Sequence, residues 1–132
     1  MLISNVDLMK FPGFVVGLVD DDPRVLESFE ELLVSGGYKV LSFLSAKAFL
    51  LAGGLQRIDC LISDIGMPVM TGWELLEVAQ TERRDLPVIL ITARDEGFRR
   101  ETMAKRGARF LLVKPFDGKE LLTAVAASLK GG

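Results

Sequence analysis

Apolar residues fall along this chain in two alternating rhythms, short unbroken runs and stripes spaced by helical turns. The runs lie at about Phe14–Val19, Lys39–Phe43, Cys60–Ser63, Pro87–Ile91 and Arg109–Val113. Runs that are apolar on successive positions suit strands buried on both faces. Between them the period changes. From Pro23 to Ser35, Val25, Leu26, Phe29, Leu32 and Leu33 line one face of a predicted helix. Asp22 can cap it, Pro23 suits its first turn, and Gly36-Gly37 can stop it. Ser45 heads a short helix carrying Ala46, Phe49 and Leu50, and a loop with Gly66, Pro68 and Gly72 precedes a helix through Trp73, Leu75, Leu76 and Ala79. The last helix, about Gly118–Leu129, shows Leu121, Leu122, Val125 and Leu129 on one side. Strands alternating with helices predict a single α/β domain, a doubly wound five-stranded parallel sheet with helices on both faces.

Two stretches fit this scheme less well. Residues 1–13 (MLISNVDLMKFPG) read as a leader set off by Pro12-Gly13, leaving 14–130 as the domain. Residues 95–106 (DEGFRRETMAKR) read as a helix, yet Phe98, Met103 and Ala104 form no clean apolar stripe, and six basic residues crowd Arg94 to Arg109. A solvated helix explains that pattern; so does a loosely held element that meets a partner. The chain shows no internal repeat and no low-complexity segment.

With 132 residues, 49% hydrophobic and 26% charged, the chain is long enough for one proper core and is globular in composition. Its net charge of −2 gives no general pull toward nucleic acid or an anionic membrane. No apolar stretch reaches transmembrane length. The single cysteine, Cys60, cannot form an internal disulfide and sits in an apolar run, which fits a reducing cytoplasm. Because histidine is absent, imidazole metal sites and catalysis by a histidine of this chain are excluded.

The strand ends change the picture. The first runs into Asp20-Asp21-Asp22, the third into Asp64, the fourth into Thr92 and the fifth into Lys114-Pro115. In a parallel sheet these carboxyl ends share one edge, and ligands bind outside it. Adjacent carboxylates there repel unless compensated. A divalent cation relieves them, and carboxylates with water are ligands that Mg²⁺ prefers. Alternation turns Asp20 and Asp21 apart, although both stand where the chain enters the helix, and Asp22 reads as that helix's cap. Asp64 can serve as metal ligand and as nucleophile, because carboxylates accept phosphoryl groups. The Thr92 hydroxyl and the Lys114 ammonium suit two phosphoryl oxygens, and phosphoryl transfer needs little beyond positioning and neutralisation. A cis bond at Lys114-Pro115 would aim the lysine inward.

The stretches LVDDDP, SDIGMPVMTG, PVILITA and GARFLLVKPF, in that order and spacing, resemble the receiver domain of two-component response regulators, a CheY-like family of flavodoxin-like fold; LVDDDP and SDIGMP are similar to FixJ-type members. The resemblance runs from about Val15 to Leu129. It implies a phosphorylatable switch rather than a metabolic enzyme. Asp64 would accept a phosphoryl group from a histidine kinase or phosphotransfer protein, in a self-catalysed reaction that also covers dephosphorylation. Asp20 and Asp21 would hold Mg²⁺ with Asp64 and the backbone carbonyl of Gly66, while Thr92, Lys114 and the Ala93 amide would contact the phosphoryl group. The shifted face would comprise residues 95–129. That face offers a homodimer surface, with Arg99, Arg100, Lys105 and Arg106 available for pairing; neither membrane nor direct nucleic-acid contact is expected. The sequence departs from the family where Leu111 stands three places before the lysine, a position often Tyr or Phe. Phe110 is offset by one and points to the opposite face. Gly66 offers no side chain to shield the phosphoryl group.

Two other readings remain. Asp20-x-Asp22 imitates the start of a haloacid-dehalogenase phosphatase signature, but Arg24 stands where that signature has threonine. A pseudo-receiver that binds partners without phosphorylation is the second. A Rossmann or P-loop nucleotide site is disfavoured, because aspartates and no glycine-rich loop follow the first strand.

Overall fold

The computed structural model describes residues 13–93 and 107–130. The leader up to Pro12 and the helix expected at 95–106, with its four basic pairing residues, lie outside them. Five strands form one sheet: β1 (Val15–Val19), β2 (Lys39–Phe43), β3 (Cys60–Asp64), β4 (Val88–Thr92) and β5 (Phe110–Val113). Four described helices accompany them: α1 (Pro23–Ser35), α2 (Ala46–Leu51) and α3 (Gly72–Glu82) between strands, and α4 (Gly118–Lys130) after the last. The strand order is β2-β1-β3-β4-β5 and every pairing is parallel. The doubly wound expectation therefore holds.

Local chemistry sets the boundaries. Asp22 accepts the Arg24 N–H at 2.9 Å and starts α1, with Pro23 in its first turn. At the other end Gly37 takes φ 97°, while the Gly37 and Tyr38 amides bond the carbonyls of Val34 and Leu33. That pairing is a Schellman stop, which favours a residue without a Cβ at the left-handed position. Ser45 caps α2 through the Ala48 amide.

Two apolar layers sandwich the sheet. On one face Val16, Leu18, Cys60, Ile62, Ile89 and Ile91 pack with α1 and α4 through Leu26, Leu33, Leu121 and Val125. On the other, Val19, Leu61, Val88 and Leu90 meet Phe49 of α2 and Leu75, Leu76 and Ala79 of α3. Successive side chains along a strand alternate between the layers, so each strand must be apolar throughout. Phe110 and Leu111 illustrate the rule: Phe110 packs on the α1/α4 layer and Leu111 on the opposite one. The offset read from the sequence is thus a change of face. Cys60 is fully buried on the central strand, and burial pushes its thiol up to about 12.

Candidate functional site

Parallel pairing brings the ends of β1, β3, β4 and β5 to one edge, and the residues expected there line one open cleft of about 380 Å³. Asp20, Asp21, Asp22, Asp64, Gly66, Thr92, Ala93 and Lys114 all contribute to its wall. A larger groove of about 510 Å³ lies beside it, with Val25, Phe29, Pro115 and Phe116 among its lining. Of the residues named for the cleft that groove shares only Asp22 and Lys114, so the chemistry points to the smaller cleft.

Each carboxylate is held by a different device. β1 ends at Val19, paired with Phe43 of β2, and the Asp20 amide bonds the Phe43 carbonyl at 3.2 Å. The Asp20 side chain turns back to accept the Asp22 N–H at 2.9 Å. Past the strand end the alternation between Asp20 and Asp21 lapses, and both side chains converge. Ligand oxygens of Asp20, Asp21 and Asp64 all lie within 4.8 Å of one another.

Asp64 closes β3, the central strand, where it pairs with Ile91. The following loop folds tightly back: the Ile65 carbonyl accepts both Met67 N–H and Gly72 N–H, each at 3.0 Å. A Cβ at Gly72 would stand 2.4 Å from the Asp64 carbonyl oxygen, so the close return of the loop requires glycine. Thr92, almost fully buried, ends β4. Its carbonyl accepts the Lys114 N–H at 2.8 Å, which ties the two strand ends together. The Lys114–Pro115 peptide is cis. Lys114 Nζ lies 3.6 Å from Asp64 Oδ1 and 3.9 Å from Asp20 Oδ2.

Burial is the leading cause that raises Asp20 above the ordinary carboxylate range; Asp64 and Asp21 add to it, while the Asp22 amide and Lys114 oppose it. Asp64 is raised for the same first reason, with Lys114 opposing and Asp21 reinforcing. Asp22 is displaced the other way, held below the usual range chiefly by the Arg24 amide it caps. The cleft therefore contains two carboxylates that resist ionisation, the exposed Asp21, the helix-capping Asp22, and a single ammonium shared between Asp20 and Asp64. Such a group favours a hard cation with oxygen ligands. No helix among the described residues is long and apolar enough to cross a membrane.

Comparison with known proteins gives a consistent picture. The family model described as a response regulator receiver domain matches residues 16–126. The transcriptional regulatory protein FixJ of Azorhizobium caulinodans is 38% identical over 114 residues, covering 86% of this chain and 54% of that protein. The response regulator protein FleR of Pseudomonas aeruginosa is 36% identical over 114 residues, covering 86% of this chain and 24% of that one. This chain thus spans about half or less of these curated relatives. Among solved structures, the chemotaxis protein CheY4 of Vibrio cholerae superposes with a TM-score of 0.80 at 28% identity, covering 88% of this chain and 98% of the other.

Proposed function

The chain belongs to the response regulator receiver-domain family, and on that premise we propose that Asp64 is the phosphoacceptor of a self-catalysed transfer. The observation that carries the reading is the convergence at one sheet edge of three carboxylates with the Lys114 ammonium. In the step, an Asp64 carboxylate oxygen forms a P–O bond to phosphorus as the P–N bond of a donor phosphohistidine breaks. The donor imidazole leaves and takes up a proton. The Lys114 ammonium turns from carboxylate to phosphoryl oxygen, the Thr92 hydroxyl donates to another, and the Ala93 amide assists. Asp20, Asp21, Asp64 and the Gly66 carbonyl would hold Mg²⁺, which supplies charge neutralisation. Dephosphorylation returns the carboxylate when water attacks phosphorus. A Cβ built at Gly66 meets only Asp64 Oδ2, at 3.8 Å, so no side chain there stands between acceptor and water.

The donor is a histidine kinase or phosphotransfer protein in the cytoplasm. The switch spans 14–130, its signal emerges on the face around 95–129, and a homodimer through that face is one output. Incubation with phosphoramidate and Mg²⁺ should add one acid-stable, base-labile phosphoryl group, and Asp64→Asn should abolish it. Equal labelling of parent and Asp64→Asn overturns the assignment, and a label mapped to Asp20 assigns phosphatase-like chemistry instead.

A further inference from the structure

At the edge of the sheet opposite Asp64, a separate cavity of about 220 Å³ opens where β3, β4 and β5 begin. Asp59 and Arg109 stand in its wall just ahead of β3 and β5, Arg83 and Asp85 follow α3, and Ser128 belongs to α4. The backbone holds this wall firmly. The Asp59 N–H bonds the Val15 carbonyl at 2.7 Å, and Asp59 Oδ2 accepts the Val15 N–H at 2.8 Å. Arg83 donates from one terminal nitrogen to the carbonyls of Leu55 and Ile58, each at 2.7 Å. Its other terminal nitrogen stands 4.0 Å from Asp85 Oδ2, the outer limit of an ion pair, and keeps donors for an occupant. The Arg109 N–H bonds the Val88 carbonyl at 2.8 Å, and the residue is exposed.

Ser128 supplies the observation that points to an occupant. It is 1% exposed, and its hydroxyl has no hydrogen-bond partner. The adjoining Cys60 thiol is a weak donor and acceptor and does not meet it in hydrogen-bond geometry. A hydroxyl buried in this way is costly until a polar group reaches it.

Charge and size select the occupant. Two guanidinium groups and two carboxylates give the wall both signs and no net charge. Within two residues of the wall along the chain stand Arg57, Arg84 and Lys130 against Glu82, so the rim is positive. That rim turns away a bare cation, and a bare anion meets the carboxylates of the wall. A molecule carrying both an ammonium and a carboxylate avoids both penalties. The cavity is smaller than the roughly 300–1,000 Å³ that suits drug-sized ligands. Its occupant is therefore small, and Phe14, Pro87 and Leu129 offer apolar sides for an aliphatic group.

We propose that this cavity binds a free α-amino acid with a small aliphatic side chain, its carboxylate at Arg83, Arg109 and the Ser128 hydroxyl and its ammonium at Asp59. The site is separate from the phosphoacceptor chemistry, and neither reading depends on the other.

The test titrates the isotope-labelled chain with L-alanine and, in parallel, with propionate and ethylammonium, which lack its ammonium and its carboxylate respectively. Amide resonances around Asp59, Arg109 and Ser128 should shift saturably with L-alanine, at a Kd at least tenfold below that of either analogue. Arg109→Ala should weaken binding at least fivefold. Asp59→Asn, whose side-chain oxygen can still accept the Val15 N–H, should do the same, and Ser128→Ala should weaken it at least threefold. Absence of a saturable shift with millimolar L-alanine overturns the proposal. So does propionate binding as tightly as L-alanine, which makes this a plain anion site. Saturation that all three variants leave unchanged puts the ligand elsewhere and overturns it as well.

Discussion

Asp20 sits where a negative charge is least welcome, 3% exposed, with two further carboxylates in reach and one lysine to answer for two of them. Its folded-state pKa is raised above the ordinary 3.8. The native state therefore holds that proton more tightly than the unfolded chain does, and stability contributed by the protonated form is lost as pH rises from about 3.8 through the raised value. Asp20→Asn removes the charge and can keep the bond to the Asp22 amide. It should stabilise the metal-free protein at neutral pH by about 1–3 kcal/mol, with a smaller gain in millimolar Mg²⁺; urea titration with and without the metal reads both. Gly72→Ala should act in the opposite sense, since its Cβ would lie 2.4 Å from backbone oxygen that cannot yield as a flexible side chain would. A loss of about 3 kcal/mol or more is expected, with the displaced β3 end slowing phosphoramidate labelling at Asp64. That Asp20, Asp21, Asp64, Gly66, Thr92 and Lys114 share one edge was legible, because strand ends in a parallel sheet are collinear by construction. The convergence of Asp20 with Asp21, which the family resemblance implied, does not follow from strand alternation, because that alternation stops at Val19 and no periodicity describes the turn beyond it.

Elements with strong punctuation were read to the residue. α1 and β2 begin and end where caps, glycines and apolar runs place them. Where the punctuation is weak, hydrogen bonding sets the limits instead: β3 and β4 extend to Asp64 and Thr92, and β1 begins at Val15 rather than Phe14. The short 3₁₀ turn at Gly54–Gln56 went unseen, since its tether is remote. The Arg83 guanidinium donates to the Leu55 and Ile58 carbonyls at 2.7 Å from 28 and 25 residues away, a contact that no local pattern announces. The start of α3 is the element boundary nearest the acceptor, and a capping box fixes it: Thr71 accepts the Glu74 amide while the Glu74 carboxylate accepts the Thr71 amide. Thr71→Ala should cost about 1 kcal/mol, seen as a lower urea midpoint with an unchanged slope. Asp64 labelling should persist, because the Ile65–Gly72 closure does not pass through that hydroxyl.

For the molecule as a whole, the proposed transfer predicts that β4 and β5 carry the signal from cleft to surface. The Thr92 carbonyl holds the Lys114 amide, so drawing the Thr92 hydroxyl and Lys114 ammonium toward a phosphoryl group pulls on two adjacent strands at once. A ligand can shift that equilibrium only through its differential affinity for the two arrangements. Amide exchange with and without beryllofluoride and Mg²⁺ should therefore change within 93–114 and in α4 as well as beside Asp64. Changes confined to the neighbourhood of Asp64 would refute this route. Both apolar layers grip the same sheet, and its central strand carries the lone thiol, wholly enclosed and with ionisation deferred to about 12. That placement makes Cys60 a clock. An alkylating reagent must wait for the middle of the sheet to open, and only then can it meet a thiol ionised to the ordinary extent. The pace of modification in native buffer counts those rare openings one molecule at a time, without denaturant, added label or engineered probe.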